Sequence, residues 1–202
     1  MRRVWLVGLL LLCGWKAMQW WQLRPVTQPD GVLIADEPEQ DTQASSTVFT
    51  RGDYTLTPRA HYHFRARLLH REPYSFGRES QLSPLDFAIG WGPLSDNRVL
   101  NRLELSQSNR FLHYRWRGQP PVPPAVLVDH AANTHLIPAD KSVAAALAKM
   151  RPGQVVELDG WLVDASASDG WYWHTSLTRE DDGAGACELM WVNSADVFLR
   201  GN

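Results

Sequence analysis

Apolar and polar positions alternate from His61 to Leu68. Tyr62, Phe64, Ala66 and Leu68 fall on one side, and His61, His63, Arg65 and Arg67 on the other. A period of two predicts a half-buried strand with a basic outer face. Leu85 to Trp91 is a second strand-like run, stopped by Gly92-Pro93, and Phe111 to Trp116 is a third. Val99, Leu100, Leu103 and Leu105 fit a short helix within Asn97–Ser106. The prolines of Gly118–Pro124 predict a rigid, extended crossover. Asn133–Ala139 reads as a segment leading into a helix. Asp140 caps that helix, which runs over Lys141–Arg151 with Val143, Leu147 and Met150 on one stripe and Pro152-Gly153 ending it. The last third holds short strand-like runs, Gln154–Leu158, Gly160–Asp164, Trp171–Thr178 and Cys187–Val192, separated by turn clusters such as Ser168-Asp169-Gly170.

Short, spaced strands around one helix predict an α+β, strand-rich fold. The expected architecture is a small, partly closed, OB-like β-barrel or a sandwich with one or two short helices. The pattern divides the chain into a leader over residues 1–24, an acidic linker over 25–50 and one globular domain over 51–202. In the leader, Arg2 and Arg3 precede an unbroken apolar run from Val4 to Trp15, followed by Lys16, Trp20 and Trp21. A cationic start before an apolar run predicts export, and the interfacial tryptophans suit a single-pass signal anchor. No small-residue cleavage pattern follows, so an uncleaved anchor is preferred to a cleaved signal peptide or a lipoprotein attached at Cys13. The body is then expected on the periplasmic or exterior side of an inner membrane.

Charge refines this division. Pro25–Thr50 contains Asp30, Asp36, Glu37, Glu39 and Asp41 and no basic residue, the composition of a disordered tether, although Val32-Leu33-Ile34 forms an apolar island able to dock locally. Arg51–Gly118 carries eleven arginines against six acids, and Gln119 onward carries eleven acids against five bases. Two halves of opposite charge folding against each other account for this. Cys187 is the one cysteine of the exported body, so that body has no internal disulfide, and its apolar surroundings predict burial.

Candidate chemistry is sparse. His61 and His63, with His130 or His135, have imidazoles of metal-ligand type, yet no acid or thiolate stands at a diagnostic spacing, so no metal and no cofactor is expected. Asp181-Asp182-Gly183 lacks the remaining spaced oxygen ligands of a calcium loop and reads as a turn. His135 is the best catalytic candidate, with Cys187 or Ser176 as possible nucleophiles and Asn133 beside it. A histidine before a helix is more often a hydrogen-bonded structural residue. The abundant tryptophans suit a core, and beside arginines they also suit stacking on sugars, bases or aromatic ligands. Nucleic acid is disfavoured, because the domain is not basic overall and faces away from the cytoplasm.

Several motifs resemble a group of small, membrane-anchored, exported bacterial proteins of unknown function. They are Gly90-Trp91-Gly92-Pro93-Leu94-Ser95-Asp96, Asn133-Thr134-His135-Leu136-Ile137-Pro138-Ala139, Arg151-Pro152-Gly153-Gln154-Val155-Val156, Ser176-Leu177-Thr178-Arg179 and Gly185-Ala186-Cys187-Glu188. The resemblance spans most of Phe87–Val192 and implies no activity, only where a site would lie. The residues singled out for binding are Trp91, Asn133, His135, Arg179 and Glu188. The expected function is a membrane-tethered binding or assembly module without catalysis of its own, whose partners are the membrane and another envelope protein or a small ligand. A hydrolase using His135 as general base is the alternative.

Overall fold

Alternation and turn chemistry place ten strands and four short helices in a computed structural model of the chain, which describes Gly8, Cys13, Gly14, Trp21, residues 24–178 and residues 186–198. The strands are β1 (Glu39–Asp41), β2 (Phe49–Arg51), β3 (Tyr54–Pro73), β4 (Leu85–Gly90), β5 (Glu104–Ser108), β6 (Phe111–Arg115), β7 (Ala131–Pro138), β8 (Val155–Ala167), β9 (Tyr172–Trp173) and β10 (Glu188–Val197). The helices are α1 (Arg78–Leu82), α2 (Asn97–Leu100), α3 (Pro124–Asp129) and α4 (Lys141–Lys149), two more than the expected upper number. Five strands pair in a closed ring, β3–β4–β7–β10–β8 and back to β3. All contacts in the ring are antiparallel except β7–β10, which is parallel.

The ring encloses the main core. Tyr62, Phe64 and Leu68 of β3 meet Phe87 and Ile89 of β4, Leu136 of β7, Leu158 and Leu162 of β8, and Met190 and Val192 of β10. Helix α4 adds Val143 and Leu147. Asp140 caps it as expected, Oδ1 accepting from the backbone N–H groups of Ser142 at 2.7 Å and Val143 at 2.9 Å. Each fully buried aliphatic side chain contributes about 1.5–3 kcal/mol.

A bulge gives the fold its second layer. The β3–β8 register slips between Pro58 and Ala60, one extra residue on β3. Such a slip carries side chains to the opposite face. Ala60, Tyr62 and Phe64 therefore point into the ring, whereas Tyr54 and Leu56 join Leu82, Ile137, Val163, Ala165 and Leu189 in a cluster outside it. Trp161, Trp171, Trp173 and Trp191 pack partly buried against that outer cluster.

Three sequence expectations change here. Gln154–Leu158 and Gly160–Asp164 are one strand, β8, and a Cβ at Gly160 would run into the Trp191 carbonyl oxygen, so glycine lets β10 approach. Only Asn97–Leu100 of the expected Asn97–Ser106 helix is helical; Leu105 instead belongs to the β5–β6 hairpin. Asn133–Pro138 leads into helix α4 as expected, but as most of the central strand β7, between β4 and β10.

The acidic segment touches the domain at named points, so its polar composition does not keep it off the surface. The Val26 N–H donates to the Pro152 carbonyl (2.7 Å), the Gly92 N–H to the Ile34 carbonyl (2.8 Å), and Glu39–Asp41 pair with His61–His63 of β3. Leu33, of the apolar island, is buried. Among the described residues no helix is long and apolar enough to cross a membrane; most of the leader lies outside them.

Candidate functional site: a cleft over a buried carboxylate–imidazole pair

β4 and β7 run antiparallel with Asp86 directly opposite His135. Leu85, Phe87 and Leu136 face the ring core, so by strand alternation Asp86 and His135 lie on its outer face. Asp86 is wholly buried and His135 is 3% exposed. His135 Nδ1 lies 2.9 Å from Asp86 Oδ2, close but not aligned as a linear hydrogen bond. Among the described residues no group hydrogen-bonds the other ring nitrogen, Nε2.

The second carboxylate oxygen belongs to Arg110. Asn109 (φ 50°) and Arg110 (φ 67°) form the left-handed pair at the tip of the β5–β6 hairpin, closed by the Ser108–Phe111 pairing. Two positive φ values are those of a type I′ turn, which matches strand twist. Arginine is strained in that conformation, and its contacts offset the strain. Its N–H donates to the Tyr74 hydroxyl at 3.0 Å, Nη1 to Asp86 Oδ1 at 2.8 Å and Nη2 to the Ser83 carbonyl at 2.9 Å. The guanidinium also lies against two rings, 4.2 Å from the Tyr74 centroid and 5.2 Å from that of Trp173. Burial raises the Tyr74 phenol above its ordinary value, opposed by the Arg110 N–H.

Beneath the hairpin the polar groups form a chain. His70 Nδ1 donates to Gln107 Oε1 (2.9 Å), Gln107 Nε2 donates to Asn133 Oδ1, and Asn133 Nδ2 donates to the Arg110 carbonyl (2.7 Å). Cys187 adjoins this chain, its Sγ 3.6 Å from Asn133 Nδ2 and 3.5 Å from the Arg110 carbonyl. Satisfied networks of this kind specify one arrangement, because leaving a buried member unpaired is expensive.

Above the pair opens a cleft of about 530 Å³. Its walls come from three connections: Tyr74, Phe76 and Glu79 between β3 and β4; Asn109, Arg110 and Phe111 at the hairpin tip; and Trp171, Tyr172, Trp173, His174 and Cys187 between β8 and β10. His135 lies at its base, 4.9 Å from the Trp173 ring centroid. Behind these walls Arg78 makes a bidentate pair with Asp169 (2.6 and 3.0 Å) and lies over the Trp171 ring. The Arg78 hydrogen bonds hold the Asp169 carboxyl below its ordinary range.

The residues singled out from sequence separate. His135 lines the cleft and Asn133 lies in the network beneath the hairpin. Trp91 is buried in the ring core, its N–H donating to the His130 carbonyl at 3.1 Å. Glu188 is buried at the start of β10, next to Cys187, and does not line the cleft. Arg179 lies outside the described residues, as does Asp181-Asp182-Gly183. Ser176 is buried, donating to the Thr178 carbonyl at 3.0 Å, away from the cleft lining. His61 and His63 pair with carboxylates across β8, with Asp159 at 2.9 Å and Glu157 at 3.1 Å. Among the described residues no three histidines, cysteines or acids gather as a metal-ligand cluster. Sequence reasoning missed Asp86 and Arg110. The available signal was an aspartate inside the apolar run Leu85-Asp86-Phe87-Ala88-Ile89, since a buried carboxylate demands a partner. Comparison with protein-family models, curated proteins and solved structures finds no match to this chain.

Proposed function

We propose that this chain is a membrane-tethered, exported binding or assembly module without catalysis of its own, and that its ligand enters the cleft above His135. One observation carries the reading: aromatic side chains from three connections converge over a buried imidazole held beside a carboxylate. Ligand sites are concave and largely apolar, with a few placed polar groups, and this cleft has that composition. The ring order, the parallel β7–β10 contact and a helix between β7 and β8 support the finer reading of an OB-like, partly closed barrel. In that architecture the face of the second and third barrel strands and the flanking connections take ligands; here these are β4 and β7 with the β3–β4 and β8–β10 connections. Nucleic acid remains disfavoured, because Arg110, the arginine that lines the cleft, is already paired with a carboxylate. The resemblance to small anchored exported proteins agrees with the reading: the segments around His135 and Cys187 reach this cleft.

The leader supports tethering on the periplasmic side of an inner membrane, where a weak partner contact gains from high local concentration. A hydrolase with His135 as general base is the second reading, favoured by Asp86 beside Nδ1 and by an Nε2 left free toward the cleft. Against it, no hydroxyl or thiol among the described residues hydrogen-bonds the ring. The test purifies the full chain from its native membrane, as wild type and as Tyr172→Ala and His135→Gln variants. The binding module predicts a companion molecule retained by wild type and lost with Tyr172→Ala. A turnover abolished by His135→Gln, with the companion still captured, overturns the reading in favour of the hydrolase.

A further inference from the structure

We propose that the cleft binds an uncharged oligosaccharide, with sugar rings lying on its aromatic rim and a hydroxyl hydrogen-bonded to His135 Nε2. This names the ligand class of the cleft and rests on reading that cleft as a binding site. The rim carries one well-exposed ring from each connection: Phe76 (91% exposed), Phe111 (36%) and Tyr172 (47%). Phe76 and Phe111 have no ring partner among the described residues, whereas the Tyr172 ring lies 4.0 Å from that of His174 and its hydroxyl donates to Asp164; the C–H face of a pyranose covers such exposed faces without needing charge.

The electrostatics select against ions. Arg110, the arginine of the cleft lining, is held by Asp86 and the Ser83 carbonyl, so its charge is already compensated. Glu79 lies among the lining residues and adds negative charge. A sulfated or phosphorylated chain therefore finds no uncompensated arginine or lysine in the lining. An acyl chain fits poorly too, because Glu79, Asn109, His135 and His174 interrupt the apolar lining. Peptide addition to a strand edge needs several exposed backbone groups in a row; of the edge strands at the cleft, β9 has two residues and β6 reaches the lining with Phe111 alone. What is left is a ligand with apolar faces and hydroxyl edges. Imidazole suits such a hydroxyl: neutral, its Nε2 accepts or donates according to tautomer, and Asp86 beside Nδ1 favours the tautomer whose Nε2 accepts. The volume of about 530 Å³ lies within the 300–1,000 Å³ range of sites for drug-sized ligands, so it suits a short oligosaccharide rather than a single sugar.

The experiment applies the full-length chain in detergent micelles to an array of neutral oligosaccharides, with sulfated glycans and an oligolysine peptide as charged comparators. Hits are titrated calorimetrically and by tryptophan fluorescence. The expected result is saturable binding of at least one neutral oligosaccharide, weakened about tenfold by Phe111→Ala or Tyr172→Ala, with Tyr172→Phe, which keeps the ring and loses only the bond to Asp164, binding nearly as wild type. His135→Gln, which keeps a hydrogen-bonding group, is expected to weaken it less than His135→Ala. No neutral oligosaccharide binding, with a sulfated glycan or oligolysine bound in a Tyr172-dependent way, overturns the ligand class while leaving the binding site standing. No probe binding at all, with Tyr172→Ala also leaving the native companion in place, overturns both.

Discussion

Asp86 and His135 face each other across β4 and β7, the carboxylate wholly buried and its Oδ2 2.9 Å from the imidazole Nδ1, while the other carboxylate oxygen accepts from Arg110. One aspartate thus joins a hairpin tip to a strand floor, 24 residues away on one side. Its charge is compensated inside the protein rather than by solvent.

Breaking that compensation is expected to be costly. Asp86→Asn leaves the Arg110 guanidinium under Tyr74 and Trp173 without its counter-ion, a loss of about 3 kcal/mol for a buried pair. Chemical denaturation measures it. Combining Asp86→Asn with Arg110→Met is expected to cost less than the two single changes added together, because the orphaned charge is then gone. Strict additivity would show that the two groups do not depend on each other.

Acid is expected to weaken the β3–β8 seam. The hydrogen bond from Arg65 holds the Glu157 carboxyl below its ordinary value of 4.5, with His63 adding to the effect against an opposing burial penalty. A depressed folded value means that the unfolded chain takes up protons first, so stability is complete above pH 4.5 and is lost as pH falls through the folded value. Unfolding midpoints of wild type and Glu157→Gln between pH 6 and pH 3 check this. The difference between the two proteins is expected to shrink as the pH drops, and a constant difference would contradict the assignment.

Gly160→Ala is expected to loosen the ring. The added Cβ would meet the Trp191 carbonyl, so β8 and β10 must separate or shift register. Overpacking of this kind costs about 1–3 kcal/mol. The thermal midpoint reads it, and faster hydrogen exchange confined to Leu158–Leu162 and Met190–Val192 would locate it.

Gly153→Ala is expected to release the segment before β1 without unfolding the domain. Gly153 has φ +89°, and a Cβ there would run into the Val26 carbonyl. Exchange protection at the Val26 amide, which donates to Pro152, is expected to vanish while that of the ring strands persists. Retained protection at Val26 would mean that the segment is held by other contacts.

Local patterns carried much of this fold because their causes are local. The alternation of Tyr62, Phe64, Ala66 and Leu68 places those residues inside the ring, and Asp140 caps a helix that begins at Lys141 as expected. Val32-Leu33-Ile34 docks through Leu33, as an apolar island in a polar stretch should. Asn133–Pro138 was not recognised as a strand because β7 is buried on both faces and lacks alternation, and a proline ends it. His135 could be singled out and Asp86 carried a signal of burial, but nothing local says that the two meet.

Propensity, capping and period two act over a few residues, and they sufficed to assign a strand-rich α+β class and the capped helix. The contact of Asp86 with His135, the reach of Arg110 from a hairpin tip and the inversion of β3 at its Pro58–Ala60 bulge follow from strand register and ring closure. Those are properties of how distant segments pair. A slip of one residue reverses which side chains face the cleft, and no short stretch of sequence records that choice.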